Sequence, residues 1–200
     1  MPVRSLYKTN KSPILSTLTF NDAAFWGSDV FVGVIFALYI TQNIQGGTAI
    51  QVGLVFGLYR LVRAISAIPI GQYLDRHKGH LDEYWTLFSA GAITGITYLS
   101  LFFATEMWQI YVGMAFIAFG HALDISSWRI LFYSNIPSQS RGEVIGVYET
   151  VMQLVYGLSI VVAGFVGEIF GFEWTLLFAG IITFIASSLL LTVKRNLSEV

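Results

Sequence analysis

Long apolar segments alternate with short polar ones along the whole chain. No charged residue occurs from Val30 to Tyr59, from Tyr84 to Thr105, or from Trp174 to Val193. A helix needs about 20 residues to cross a bilayer core, so runs of this length predict membrane-spanning helices. The turn signals between them set predicted helices over 21–42, 49–74, 82–104, 107–133, 141–170 and 174–193. Gly46-Gly47 breaks the chain after the first, and Pro69 is positioned to bend the second. Asp82 and Glu83 suit the positive end of the third. Thr19 with Asp22, and Ser140 with Glu143, read as helix-capping pairs. Residues 1–20 read as a polar leader and residues 196–200 as a tail.

Composition strengthens the membrane reading. Hydrophobic residues make up 55% and charged residues 12% of the chain, against about 25% charge in a typical soluble domain. Mean hydropathy is +0.67. The net charge of -1 carries little information, but its distribution carries a good deal. The turns near 43–48, 105–107 and 168–173 hold no Lys or Arg. The basic residues fall at the opposite helix ends or within the second and fourth helices. By the positive-inside rule both termini are expected in the cytoplasm. Trp26, Trp85, Trp108 and Trp174 lie near predicted helix ends, as interfacial aromatics do. The chain has no cysteine, which excludes thiol redox chemistry and cysteine metal sites. It carries no HExxH motif and no phosphate-binding loop. Asp75-Arg76-His77 lacks a nucleophile and a second base, so no enzymatic role, cofactor or metal is expected.

Between the second and third predicted helices lies Gly71-Gln72-Tyr73-Leu74-Asp75-Arg76-His77-Lys78-Gly79-His80. A Gly-x-x-x-Asp-Arg turn at this place resembles the loop between helices two and three of major facilitator superfamily transporters. In the family a Gly usually follows the Asp by three residues and precedes two basic residues. Here that slot is Lys78, with Gly79 one later and only His80 after it. Arg141-Gly142 is similar to the Arg-Gly pair between the family's helices four and five, and Gly167 to Phe178 to its turn into helix six. The resemblance covers about residues 20–195. The fifth helix lacks the Gly-Pro pair of many drug and proton antiporters, which weakens an antiporter reading. The resemblance implies an all-α integral membrane protein in which six transmembrane helices form one half of the major facilitator fold. It also implies that Gly71, Asp75, Arg76 and Arg141 serve conformational turns, with Arg76 pairing to Asp124.

Six ionisable residues fall inside predicted spans: Asp29, Arg60, Arg63, Asp124, Arg129 and Glu149. Such groups are costly in hydrocarbon and normally face protein or a water-filled cavity. At 1.5 Å rise per residue, Arg60 lies deepest, roughly 15–20 Å from the inner end of its helix. Asp124 and Glu149 lie about 10–15 Å from theirs, and Asp29, Arg63 and Arg129 nearer the inner surface. On one reading Asp29, Arg60, Arg63 and Glu149, with Tyr59 and Gln153, line a substrate path or carry a proton. On the other the acids and bases form ion pairs that hold the bundle together, with Asp124 and Arg129 the strongest candidates. His121 reads as a hydrogen-bonded structural residue.

The expected function is secondary transport of a small solute by alternating access. The alternative is a non-transporting assembly or interaction protein of the same fold. The partners expected are the bilayer, a small-molecule substrate and a second six-helix bundle. That bundle would come from the same longer chain, a second copy or a separate half. The third and sixth helices, free of charge in their cores, are expected to be lipid-facing supports. Small-residue surfaces on the second and fifth are expected to admit close backbone approach.

Overall fold

The structure, a computed structural model, describes residues 13–76 and 81–197. His77 to His80, and with them part of the turn that carries the family resemblance, lie outside the described residues.

The first helix, α1 (Pro13–Gly33), begins inside the stretch read as a polar leader. Proline is well tolerated at a first helical position because its missing N–H is not needed there. Leu15 and Leu18 are buried, which anchors these early turns to the core. After Gly33 the helix breaks. Ile35 N bonds back to Val32 O at 3.1 Å instead of to the carbonyl four residues earlier. The chain then resumes as α2 (Phe36–Asn43), bent by 44° from α1.

Thr48 opens α3 (Ala49–Asp75) by accepting a bond from Gln51 N at 3.3 Å. The helix continues through Pro69. Next comes α4 (Leu81–Leu101), with Asp82 and Glu83 in its first turn. It is followed by α5 (Met107–Ser134), a 3-10 turn at Ser138–Ser140, α6 (Arg141–Phe170) and α7 (Glu173–Leu197). The described chain is otherwise turns and short connections.

The capping pairs expected from sequence are not where the helices are capped. Ser140 makes no side-chain cap bond, because the chain enters α6 through the 3-10 turn with Ser140 at φ −127, ψ 19. Asp22 lies well inside α1 rather than at its start. A reciprocal capping box instead opens α5, between Glu106 and Gln109.

By length and composition α3, α5 and the stretch Ser138–Phe170 that includes α6 can each cross a membrane, and the bent pair α1–α2 makes a fourth span if counted as one. Packing divides the helices unequally. α4 packs against both α5 and α7; α3 packs on α5, and α1 on α6 and α7. Glycines set the α4–α7 seam. A Cβ at Gly180 would lie 2.9 Å from Gly95 O, and one at Gly95 would lie 3.1 Å from Gly180 O. A Cβ at Gly91 would overlap the hydroxyl of Ser187. The backbones therefore approach as closely as only glycine permits. The outer face of this seam still exposes Trp85, Ile96, Phe184 and Ile185.

By contrast α3 buries only Val55, Tyr59, Ile70 and Leu74, and α6 only Val144, Met152, Ala163 and Gly167. Gly53 and Gly57 on α3, and Gly142, Gly146, Gly157 and Gly164 on α6, have nothing near their Cβ positions.

Two large apolar clusters fill most of the bundle, and a small third one joins Ile70 and Leu74 of α3 to Ala122 of α5. Of the large ones, the first gathers Phe36, Tyr39, Ile40, Tyr98 and Ile117; the second gathers Leu15, Tyr84, Trp128 and Phe132. Along α5 the first ends at Ala118 and the second begins at Trp128. The buried polar residues His121 and Asp124 lie between them.

Candidate functional site

Three helices meet at His121, which is fully buried on α5. Its Nδ1 shares a 2.8 Å hydrogen bond with Tyr59 Oη on α3. Its Nε2 lies 3.6 Å from Asp29 Oδ1 on α1, too long for a hydrogen bond but close for an electrostatic contact. The rings of Phe25, Trp26 and Tyr59 pack around the imidazole, with centroids 4.9–5.6 Å away. Arg63 Nη1 donates to Tyr59 Oη at 3.1 Å. Tyr59 lies four residues before Arg63, so helical geometry brings the two side chains together. One proton arrangement serves all three contacts: Arg63 donates to Tyr59, Tyr59 to Nδ1, and Nε2–H points at Asp29.

Asp29 also accepts a 2.9 Å bond from Tyr98 Oη on α4. It lies sixteen residues after Pro13, the first residue of α1, which is about 24 Å of helix. It is therefore deeper in the bundle than its predicted place near the inner surface, because α1 starts eight residues before the predicted helix. The predicted residues Asp29, Tyr59, Arg60 and Arg63 come together as walls of one cavity of about 190 Å³, together with Trp26 and Tyr98.

A second cavity, of about 290 Å³, shares Trp26 and Arg63 with the first and adds Asp22, Asp124, Arg129, Tyr148 and Glu149. Here Trp26 Nε1 donates to Asp124 Oδ2 at 2.9 Å, and Tyr148 Oη donates to Asp22 Oδ2 at 2.5 Å. Gln153 is exposed on α6 and lines neither cavity. Asp75, Arg76 and Arg141 are exposed at helix ends, and Gly71 faces open space.

The ion pairs expected among the membrane charges do not form among the described residues. Neutral donors hold the acids: Tyr98 for Asp29, Trp26 for Asp124, Tyr148 for Asp22. Aromatic faces hold the bases. The Arg60 guanidinium carbon lies 5.5 Å from the centroid of Tyr59, and that of Arg63 lies 5.4 Å from Trp26. Such contacts stabilise a partly desolvated cation by about 0.5–2 kcal/mol. Asp124 is thus engaged by Trp26 and not by Arg76, which is exposed at the end of α3.

Sequence reasoning gave Tyr98 and Tyr148 no role, read Trp26 as an interfacial aromatic and Asp22 as part of a capping pair, and gave His121 only a structural role. One signal was present. Asp22, Trp26 and Asp29 are spaced four and three residues apart, which puts them on one stripe of α1. No group of three or more metal-ligating side chains occurs among the described residues.

Comparison with known proteins places the chain in a family. The family model described as Major Facilitator Superfamily matches residues 16–199. An uncharacterized MFS-type transporter of Methanocaldococcus jannaschii is 24% identical over 159 residues, covering 78% of this chain and 39% of the relative. An uncharacterized MFS-type transporter of Pseudomonas aeruginosa strain UCBPP-PA14 is 28% identical over 98 residues, 49% of this chain and 24% of the relative. One from Pseudomonas aeruginosa strain PAO1 is 31% identical over 81 residues, 40% of this chain and 20% of the relative. The chain therefore spans about two fifths or less of the length of the relatives it matches.

Proposed function

Because this chain belongs to the major facilitator superfamily, we propose that it supplies one six-helix wall of a secondary carrier for a small solute, working by alternating access. The six spans are α1 with α2, then α3, α4, α5, α6 and α7, and both termini lie in the cytoplasm with the turn that carries Asp75 and Arg76. Those two residues and Arg141 serve the cytoplasmic turns. The solute path runs past Asp29, Tyr59, Arg60 and Arg63, with Glu149 further along it.

The observation that carries this reading is the unequal closure of the bundle. The glycines of the α4–α7 seam are filled by neighbouring atoms, whereas Gly53 and Gly57 on α3 and Gly142, Gly146, Gly157 and Gly164 on α6 face open space; Gly167, at the end of α6, is packed against Phe172. The same α3 carries Arg60, which is exposed, on the wall of the polar cavity. A guanidinium within a spanning segment needs protein, water or solute beside it. A second bundle meeting α3 and α6 provides that cover and encloses the cavity at a midplane site, as carriers built from repeated halves do.

Substrate flux into liposomes tests it. Protein purified as a verified 200-residue monomer is expected to give no saturable flux. Addition of a second six-helix bundle, as a second copy or a joined half, is expected to restore it. Robust saturable flux from the monomer refutes the half-carrier reading. No flux from any assembled form favours the non-transporting assembly protein.

A further inference from the structure

The carrier reading leaves the solute's chemistry open, and the cavity's charges narrow it. Arg60 and Arg63 lie three residues apart on α3, the spacing at which helix side chains are neighbours. Both line the same cavity. Among the described residues neither guanidinium is ion-paired; each rests on an aromatic face, and Arg63 spends one donor on Tyr59. A guanidinium has five N–H donors in a fork that matches two oxygens of one acid group. Most of those donors remain available at both residues.

The cavity's carboxylate does not answer them. Asp29 Oδ1 is taken up by Tyr98 at 2.9 Å and faces His121 at 3.6 Å. Within this cavity the wall therefore presents two cations against one anion whose Oδ1 already has partners; Arg63 also borders the second cavity with Asp22, Asp124 and Glu149, whereas Arg60 does not. A cationic solute would meet like charge, and a neutral one would leave the Arg60 guanidinium without a counter-charge. An oxyanion supplies one. The remaining walls are apolar: Phe36 and Phe56 stand edge to face with centroids 6.2 Å apart, and both line the cavity. These suit a carbon body attached to the acid group.

We propose that this cavity binds a small organic acid, its carboxylate or phosphate oxygens held by Arg60 and Arg63 and its apolar body against Phe36 and Phe56. The proposal rests on the carrier reading for its biological sense, but the site lies wholly on this chain, so binding can be measured separately from transport.

The test is titration of the 200-residue protein in nanodiscs of zwitterionic lipid, followed by tryptophan fluorescence and calorimetry, since Trp26 lies beneath Arg63. Benzoate and phenyl phosphate are the oxyanion probes. Benzamide and phenyltrimethylammonium are their neutral and cationic counterparts. Saturable binding is expected for the two acids and not for the other two. Tighter binding of phenyl phosphate identifies a phosphate-type head, and tighter binding of benzoate a carboxylate. Arg63→Gln and Arg60→Gln are each expected to weaken binding about tenfold or more, as loss of a charge-assisted pair does. Arg60 is exposed, so Arg60→Gln keeps the packed core, and an unchanged melting temperature verifies this. Arg60→Lys is expected to recover part of the affinity.

Absence of saturable binding by both acids overturns the proposal. So does equal binding of benzamide or the ammonium probe, or an affinity unchanged in both Gln variants, which would assign the arginines to acids of a partner bundle. The two readings fail separately. Transport of a neutral or cationic solute by the assembled carrier, with no acid bound, sinks the anion site and leaves the carrier. Acid binding without flux from any assembly leaves the site and sinks the carrier.

Discussion

The α4–α7 seam and the open faces of α3 and α6 carry the same small-residue spacing with opposite results. Gly91 and Gly95 are four residues apart, as are Gly53 and Gly57, and Gly142 and Gly146. The first pair is closed against Ser187 and Gly180; the others meet nothing. A close-packing motif therefore specifies that a backbone can approach, and not whether one has. In lipid, where apolar chains gain little by leaving their surroundings, packing and fit decide association. The closed seam holds this bundle together, and the open faces are where the proposed second bundle would sit.

Substitutions on the two sides separate these roles. The largest effect is expected at the seam. Gly180→Leu forces a side chain against Gly95 O and Leu99, and overpacking of this kind costs about 2–3 kcal/mol. It should appear as a lower melting point in detergent and loss of folded protein. A variant as stable as wild type would mean that the seam is not closed.

His121→Ala tests the closed side of α3, where Tyr59 bonds to the imidazole. It removes a buried ring and strips Tyr59 of a partner, at an expected cost of about 2–3 kcal/mol. His121→Gln, which keeps a polar end, should cost less. A smaller loss is expected from Glu106→Ala, which removes the capping box of α5. About 1 kcal/mol is expected, read from the same melting curves.

On the open side, Gly57→Leu is expected to leave the stability of the isolated bundle within about 1 kcal/mol, because its Cβ position is empty. It should nevertheless abolish assembly with a second bundle, measured as co-purification and restored flux. Assembly at wild-type strength would move the partner to another face.

Much of the bundle was legible because long uncharged runs admit few structures other than helices. Part of the candidate site was legible for the same reason: a charge in such a run stands out, so Asp29, Arg60 and Arg63 were found, and helical spacing brought in Tyr59. Their partners were not legible. Counting acids against bases suggests ion pairs, yet the donors that reach Asp29 and Asp124 are Tyr98 and Trp26, residues that read as lipid-facing or interfacial. A helix that is apolar nearly all round gives no periodic sign of its inward face. Its rotation is decided by contacts with other helices. The start of α1 was misplaced because Pro13 and a run of Ser and Thr look irregular, although Leu15 and Leu18 are core residues.

The break after Gly33 has a thermodynamic consequence for the first span. Helices survive in hydrocarbon because their peptide groups satisfy one another internally. Where Ile35 turns back to Val32, that internal closure lapses for a turn, and Gly33 at the edge of the break lines the arginine cavity. Interrupted backbone is tolerated at membrane depth where protein or an aqueous recess covers it. The first span is therefore amphibious: its unbroken length suits oil, while its break needs cover from protein or from a recess such as the cavity that Gly33 shares with the two arginines.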